Sequence, residues 1–176
     1  MSPEEILAQV AEEVNVCSNC DLQFSRKNGV PGEGPADAEI MFIGEGPGFH
    51  ENEQGRPFVG AAGRYLDELL DSINLKRDEV FIGNVVKCRP PGNRDPSPEE
   101  LNACSVYLDR QIQAVNPKVI VTLGRFSLAK YLPNAKISDV HGQAMWIRGR
   151  LILPMYHPAA ALHQPSLKGI VAEDFS

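Results

Sequence analysis

The stretch AEIMFIGEGPG, residues 38–48, joins a short apolar run to a glycine-rich turn. Residues 38–43 have the composition of a strand buried on both faces, which is typical of a parallel sheet covered by helices. Ligands of such sheets bind outside the carboxyl ends of the strands. The turn that begins at Gly44 is therefore the first place where we expect a binding site.

Strand and helix patterns alternate along the rest of the chain. Further strand patterns cover residues 80–86, 118–123, 145–147 and 151–153. Helical patterns cover residues 2–14, 62–73 and 125–132, and two more begin at residues 97 and 158. The alternation predicts an α/β fold, with three layers (α/β/α) around a central, mostly parallel four-stranded sheet, in a single domain over residues 1–176.

Composition favours an ordinary globular protein. The chain has 176 residues, of which 43% are hydrophobic and 23% are charged, enough to bury one core. It contains no apolar run long enough for a membrane helix and no basic-then-apolar amino-terminal segment. We expect a soluble, intracellular, cytoplasmic protein without membrane attachment.

Charge is distributed unevenly along the chain, although the formal net charge is −6. Residues 1–79 contain 16 acidic and 6 basic residues, whereas residues 80–172 contain 5 acidic and 11 basic residues. An acidic front half and a basic rear half fit a nucleic-acid footprint on one face. An uneven distribution without functional meaning is equally compatible with these numbers.

Four cysteines are present, at positions 17, 20, 88 and 104. In a chain without a secretion signal, cysteines are more often metal ligands or redox thiols than disulfides. The spacing differs from that of zinc fingers, in which paired ligands are close. Composition alone leaves zinc and an iron–sulfur cluster as alternatives.

Four motifs follow one another along the chain: GEGPG (44–48), GRPFVG (55–60), NVVKCRPPGNR (84–94) and HPAA (157–160). The first alone would be an ordinary turn, since neither a dinucleotide fingerprint nor a Walker lysine follows it. Together, in this order and at this spacing, they resemble the family 4 uracil-DNA glycosylases almost from Cys17 to the carboxyl terminus. The resemblance implies a monofunctional enzyme of base excision repair, which flips uracil out of DNA and hydrolyses its N-glycosidic bond to leave an abasic site.

The resemblance also implies roles for individual residues. Phe58 matches the aromatic that stacks on the flipped base, Asn84 the amide that recognises the uracil edge, and His157 the imidazole that contacts uracil O2. The backbone of Gly44 and Gly46 would approach the base closely.

A carboxylate near the sugar would stabilise the positive charge that develops when uracil leaves. Glu45 is the first candidate for this role. Glu51 or Asn93 could share in positioning the attacking water, and Asn93 also matches a pocket residue of the family.

In this family Cys17, Cys20, Cys88 and Cys104 would hold a [4Fe-4S] cluster with a structural role. By clamping the amino-terminal segment to the Cys88 loop, the cluster would direct Lys87, Arg89 and Arg94 toward DNA phosphates. We expect the partner to be uracil-containing DNA, single- or double-stranded, bound by a monomer that associates with the nucleoid.

The chain departs from the family at two places. Phe49 and His50 follow the first motif, where an acidic residue is common, and His163 stands where an arginine often follows the HPAA motif. These changes affect the expected DNA-side contacts and leave the uracil contacts intact.

Three other functions are considered. A related group traps uracil covalently through a histidine in the loop after the asparagine strand, but no histidine lies between Asn84 and Cys104. A non-catalytic iron–sulfur or zinc module that binds DNA would have no reason to combine Glu45, Phe58, Asn84 and His157. A small nucleotide-binding α/β protein lacks its phosphate-binding fingerprint here.

Overall fold

A single sheet forms the centre of the computed structural model, which describes residues 1–175. Its strands are β1 (Ile40–Gly44), β2 (Phe81–Asn84), β3 (Val119–Leu123), β4 (Met145–Ile147) and β5 (Arg150–Met155). The strand order is β2-β1-β3-β5-β4. Strands β2, β1, β3 and β5 run parallel, and β4 pairs antiparallel with β5 at the edge.

The predicted three-layer α/β fold is confirmed, with five strands in the sheet instead of four. The additional strand is β4, residues 145–147, which also has a strand pattern in the sequence. Arg148 and Gly149 connect it to β5, both with positive φ, at 51° and 82°. Two such residues form the tight turn that matches the twist of a hairpin, so β4 folds back antiparallel.

Helices cover both faces of the sheet. They are α1 (Pro3–Asn15), α2 (Phe49–Gln54), α3 (Ala61–Ser72), α4 (Pro98–Val115), α5 (Arg125–Ala129), α6 (Ile137–Val140), α7 (Pro158–His163) and α8 (Lys168–Phe175), with short 3-10 turns at Asp21–Phe24, Arg77–Glu79, Pro91–Asn93 and Pro165–Leu167. No helix within residues 1–175 is both long and apolar enough to cross a membrane.

Side chains along β1 point alternately to the two faces of the sheet, and they divide the core into two layers. Phe42 packs with apolar side chains of α3, α7 and α8, whereas Met41 and Ile43 pack with those of α4 on the opposite face. A third cluster joins α1 to α4 through Val10, Val14 and neighbouring side chains. Burial of both faces explains why the strands are apolar without a polar alternation.

Local signals place the ends of the long helices as predicted. Ser97 Oγ accepts a hydrogen bond from the backbone N–H of Glu100 at 3.2 Å, and the Glu100 carboxylate accepts one from the N–H of Ser97 at 2.8 Å. This capping box starts α4, and Ser2 caps α1 in a similar way.

The carboxyl ends of the parallel strands meet at one edge of the sheet, as predicted. Gly44 ends β1 directly opposite Asn84 at the end of β2, and His157 follows β5 by two residues. The fold therefore collects the motif residues at one place.

Gly63 in α3 allows the helix to approach the segment that precedes it. A Cβ at this position would lie 1.9 Å from the backbone oxygen of Phe58. We predict that Gly63→Ala lowers the free energy of unfolding by about 1–3 kcal/mol, because backbone atoms must shift to accommodate the methyl group. Thermal denaturation followed by circular dichroism measures the effect.

Gly169→Ala in α8 is the matched control, since no atom lies within 4 Å of its added Cβ. It should melt at or slightly above the temperature of the unaltered protein, because alanine is the better helix former. Equal melting temperatures for the two variants would contradict the predicted clash.

Candidate functional site

A cavity of about 610 Å³ opens at the carboxyl edge of the sheet. This volume is within the range of small-molecule sites. The residues that line it include the predicted site residues Glu45, Gly46, Phe58, Asn84, Asn93 and His157, and also Glu51. Residues from three strand ends, and from the loops before α3 and α4, thus share one pocket.

Gly44 allows two other pocket residues to approach the backbone of β1. A Cβ at Gly44 would lie 2.6 Å from Asn84 Oδ1 and 2.6 Å from Phe58 Cζ. Both distances are shorter than any van der Waals contact. Only glycine at this position permits the amide and the aromatic ring to come together.

Asn84 presents an acceptor without a partner. Its side chain is 2% exposed, and Oδ1 has no hydrogen bond to any atom of residues 1–175. A buried acceptor without a partner is costly, and such atoms in folded proteins generally have a role. This oxygen is therefore available to an N–H group of a ligand in the cavity.

Phe58 is held in a backbone conformation that few residues other than glycine adopt. Its φ is +50°. Arg77 donates hydrogen bonds to the backbone oxygens of both Phe58, at 2.6 Å, and Pro57. Ion pairs with Glu33 and Asp67 fix the guanidinium in turn. The strained conformation is thus maintained by one arginine, and it turns the Phe58 ring toward the cavity.

Glu51 connects the two loops on one side of the cavity. Its carboxylate accepts three backbone hydrogen bonds at 2.9 Å, from Gly48 at the start of α2 and from Val59 and Gly60 after Phe58. These bonds favour a positioning role for Glu51 over the water-positioning role considered above. Glu45 lies in the same cavity, where partial burial and then the negative charge of Asp95 raise the pKa of its carboxyl group.

His157 is a neutral imidazole with a defined tautomer. Its Nδ1 accepts a hydrogen bond from the backbone N–H of Ala159 at 3.1 Å, so the ring proton is on Nε2. Burial lowers the pKa of His157 to about 4, with a weaker opposing effect from Glu51. The ring stacks on Phe58 with centroids 5.5 Å apart. The imidazole can therefore donate from Nε2 at neutral pH without carrying a charge.

The basic residues in the loop after β2 do not all lie where the sequence predicts. Lys87 is 1% exposed, and its ammonium donates to Gln111 Oε1 at 2.7 Å. The prediction that Lys87 faces DNA phosphates is wrong, because its side chain lies under α4. Arg94 pairs through both terminal nitrogens with Glu100, at 2.8 Å each. Arg94 and Asn93 line the cavity, and Arg89 contacts that lining, with Nε donating to Asn93 Oδ1 at 2.7 Å.

The four cysteines line a second, separate cavity between α1, α4 and the segments around Cys20 and Cys88. Several sulfur atoms accept N–H hydrogen bonds, from Arg26 to Cys88 at 3.3 Å and from the Lys87 backbone to Cys104 at 3.1 Å. As the structure stands, no three Cys, His, Asp or Glu side chains within residues 1–175 have the spacing of a metal site. The cavity nevertheless offers an all-sulfur donor set with the N–H···S bonds that accompany iron–sulfur clusters.

Sequence reasoning missed Arg77 and the part played by Glu51. Arg77 lies 19 residues from Phe58 in a short 3-10 turn, and no motif surrounds it. From the sequence, Glu51 is predicted only as a candidate for positioning the attacking water. The glutamate three residues after Gly48 is a capping signal, which could have revealed half of its bonding.

Comparison with known proteins gives a consistent result. The profile of the Uracil DNA glycosylase superfamily matches residues 31–175. A type-4 uracil-DNA glycosylase of Sulfurisphaera tokodaii is 50% identical over 96% of this chain and 81% of its own length. Type-4 uracil-DNA glycosylases of Archaeoglobus fulgidus and Thermotoga maritima are each 46% identical over 97% of this chain, and over 90% and 92% of their own lengths.

His157 should remain neutral over the whole physiological range. We predict that its imidazole signal in an NMR titration shows no inflection above about pH 5, because burial lowers the pKa to about 4. Its nitrogen shifts should report the Nε2–H tautomer. Since the pKa in the unfolded chain is about 6.5, unfolding takes up a proton between these values. The stability of the fold should therefore decrease as pH falls from about 6.5 to about 4, and His157 should contribute no pH dependence above that window.

The NMR signal of the His157 imidazole is assigned with the variant His157→Gln, in which that signal should be absent. This variant should also lose this part of the acid sensitivity, whereas His163→Gln, at an exposed position, should retain it. An inflection of the His157 signal between pH 6 and 7 would contradict the buried, neutral imidazole.

Proposed function

This chain belongs to the uracil-DNA glycosylase superfamily, and from that membership we propose how its cavity performs the reaction of the type-4 enzymes. The protein is a uracil-DNA glycosylase of DNA repair. It takes uracil flipped out of DNA and hydrolyses the N-glycosidic bond, leaving an abasic site. The observation that carries the assignment of roles is the buried Asn84 Oδ1, which has no partner within residues 1–175; Asn84 lines the same cavity as Phe58 and His157.

Asn84 recognises the edge of the base. Its Oδ1 accepts a hydrogen bond from uracil N3–H while its NH₂ group donates to O4. Cytosine offers an acceptor at N3 and a donor at C4, the reverse pattern, so it would leave the buried amide unpaired. Phe58 supplies the apolar surface on which the flipped base stacks. Gly44 and Gly46 have no side chains, which leaves room for the base to enter.

His157 stabilises the leaving group. As the glycosidic bond breaks, its electron pair moves to uracil, and negative charge develops on O2. The Nε2–H of His157 donates to that oxygen. Because Nδ1 is occupied by the Ala159 N–H and burial keeps the pKa near 4, the imidazole acts as a fixed dipole and holds its proton throughout.

Glu45 acts on the sugar. Its carboxylate stabilises the positive charge that develops at the anomeric carbon and orients the water that attacks there. Asn93 is the second polar group for that water. Glu51 is assigned to positioning, since it already accepts three backbone N–H groups.

Cys17, Cys20, Cys88 and Cys104 hold a [4Fe-4S] cluster. The all-sulfur cavity and its N–H donors support this choice. When bound, the cluster would cross-link the segments that carry the four cysteines. It would leave no coordination site open for a substrate, and glycosidic hydrolysis needs no electron transfer. The residues themselves connect the segment after α1 to the loop after β2 and to α4.

The substrate is uracil in DNA, and we propose that both single and double strands are accepted. One shared sheet supports a single domain over residues 1–176, of which Ser176 lies outside the described residues. We propose that the protein acts as a monomer on nucleoid DNA in the cytoplasm.

The uracil-release assay tests the function and the role of Asn84 together. We predict that the protein, incubated with a labelled oligonucleotide carrying one uracil and then alkali, causes cleavage at uracil alone. Asn84→Ala should reduce the rate by about 100-fold or more, because the base loses its hydrogen bonds inside a buried site. Asn102→Ala, on the exposed side of α4, should leave the rate unchanged.

The other outcomes identify the alternatives. A protein–DNA adduct that survives denaturant, without an abasic site, would indicate covalent trapping of uracil. Binding of the oligonucleotide with neither signal would indicate a non-catalytic DNA-binding module.

Metal analysis tests the cluster. We predict iron and acid-labile sulfide in equal amounts in the purified protein, and their loss from Cys88→Ser together with a lower melting temperature, since one anchor of the amino-terminal segment is removed. Zinc without sulfide would contradict the cluster. A Cys88→Ser protein that lacks iron yet folds and binds DNA normally would contradict its structural role.

A further inference from the structure

Phe49 is an exposed aromatic residue at the mouth of the cavity. It is the first residue of α2, its ring is 53% exposed, and it lines the cavity together with His50. Uracil recognition, as described above, makes no use of it. An isolated exposed aromatic residue is common on protein surfaces, so its neighbours decide whether it has a role.

Arg89 links this ring to the other side of the mouth. Its guanidinium carbon lies 5.6 Å from the centroid of the Phe49 ring, while its Nε donates to Asn93 Oδ1. The two residues follow different strands, β1 and β2, so the contact connects two loops across the rim. Within residues 1–175, Arg89 forms none of the ion pairs that occupy most of the other arginines. Its charge therefore remains available to an anion.

The chemistry of base flipping determines which ligand fits this pair. When uracil enters the cavity, the adjacent nucleotide of the same strand remains at the mouth and loses a stacking partner. An exposed aromatic ring replaces that partner for any base, since every base has a π-face. A phosphate of the same strand would meet the unpaired guanidinium.

We propose that Phe49 and Arg89 form a second nucleotide site, which binds the nucleotide next to the flipped uridine. Phe49 stacks on its base, and Arg89 contacts its phosphate. The site has no preference for one base over another, because neither contact involves a base edge. The proposal rests on the glycosylase function, since it requires uracil in the neighbouring cavity.

Steady-state kinetics on a uracil oligonucleotide tests the stacking contact. Phe49→Ala should raise KM by about 5- to 100-fold, the range for removal of one base–aromatic stack, with a smaller effect on kcat. Trp146→Ala is the control, because Trp146 is 75% exposed on the edge strand β4, outside the cavity lining. Circular dichroism should show both variants folded, since each ring is mostly solvent-exposed.

Substrates with an abasic analogue beside the uracil separate stacking from a structural effect. The analogue is placed on the 5′ side of the uracil in one substrate and on the 3′ side in another. With one of these two substrates, the KM of the unaltered protein should rise because the stack is missing. On that substrate Phe49→Ala should raise KM no further. If Phe49→Ala raises KM equally on the intact substrate and on both analogues, or does not raise it at all, the stacking proposal is wrong.

The salt dependence of binding tests the phosphate contact. Arg89→Gln should reduce the slope of log Kd against log salt concentration by about 1, as expected for the loss of one phosphate contact. An unchanged slope would refute that half of the proposal. Failure of the unaltered protein to release uracil would refute the proposed function itself. Release by the unaltered protein, with an unchanged KM for Phe49→Ala and an unchanged salt slope for Arg89→Gln, would refute only the second nucleotide site.

Discussion

The Arg77 guanidinium, bonded to the backbone oxygens of Pro57 and Phe58, is the interaction on which the pocket depends. It maintains a left-handed conformation at an aromatic residue, which would otherwise cost on the order of 1 kcal/mol or more. The Phe58 ring consequently lies against Gly44 and His157, where it closes the apolar side of the cavity. Glu51 secures the next two residues of the same loop through their N–H groups. Arg77 thus donates to the carbonyl groups of this loop, and Glu51 accepts from its N–H groups.

In the proposed reaction, two features of the pocket stabilise the transition state more than they stabilise the empty protein. Asn84 Oδ1 is buried without a partner within residues 1–175, and His157 is partly buried and carries no charge. Each costs free energy in the absence of a base, and each is compensated only when a ligand supplies the complementary atom. The hydrogen bond from the Ala159 N–H to Nδ1 fixes the tautomer of the imidazole, with its proton on Nε2.

The two cavities are lined by different kinds of groups. One lies at the carboxyl ends of the strands and contains the polar groups proposed to contact uracil, while the other lies between α1 and α4 and contains the sulfur atoms. The loop after β2 connects them, since it extends from Asn84 to Cys88 within five residues. The buried contact between Lys87 and Gln111 fixes that loop on α4. Cys88 of the sulfur cavity is only a few residues from Arg89 and Asn93.

Local signals in the sequence determined the strands, the capped helix ends and the motif residues that line the cavity. These are predictable because apolar periodicity, capping boxes and glycine-rich turns act over a few residues. Only the tertiary structure decided that Arg77 holds Phe58, that Lys87 is buried, and that a fifth strand joins the sheet. The partners in the first two contacts are 19 and 24 residues apart, and no local pattern specifies which distant group a charged side chain will meet. That choice depends on how helices and strands pack, because burial and charge pairing are properties of the assembled fold.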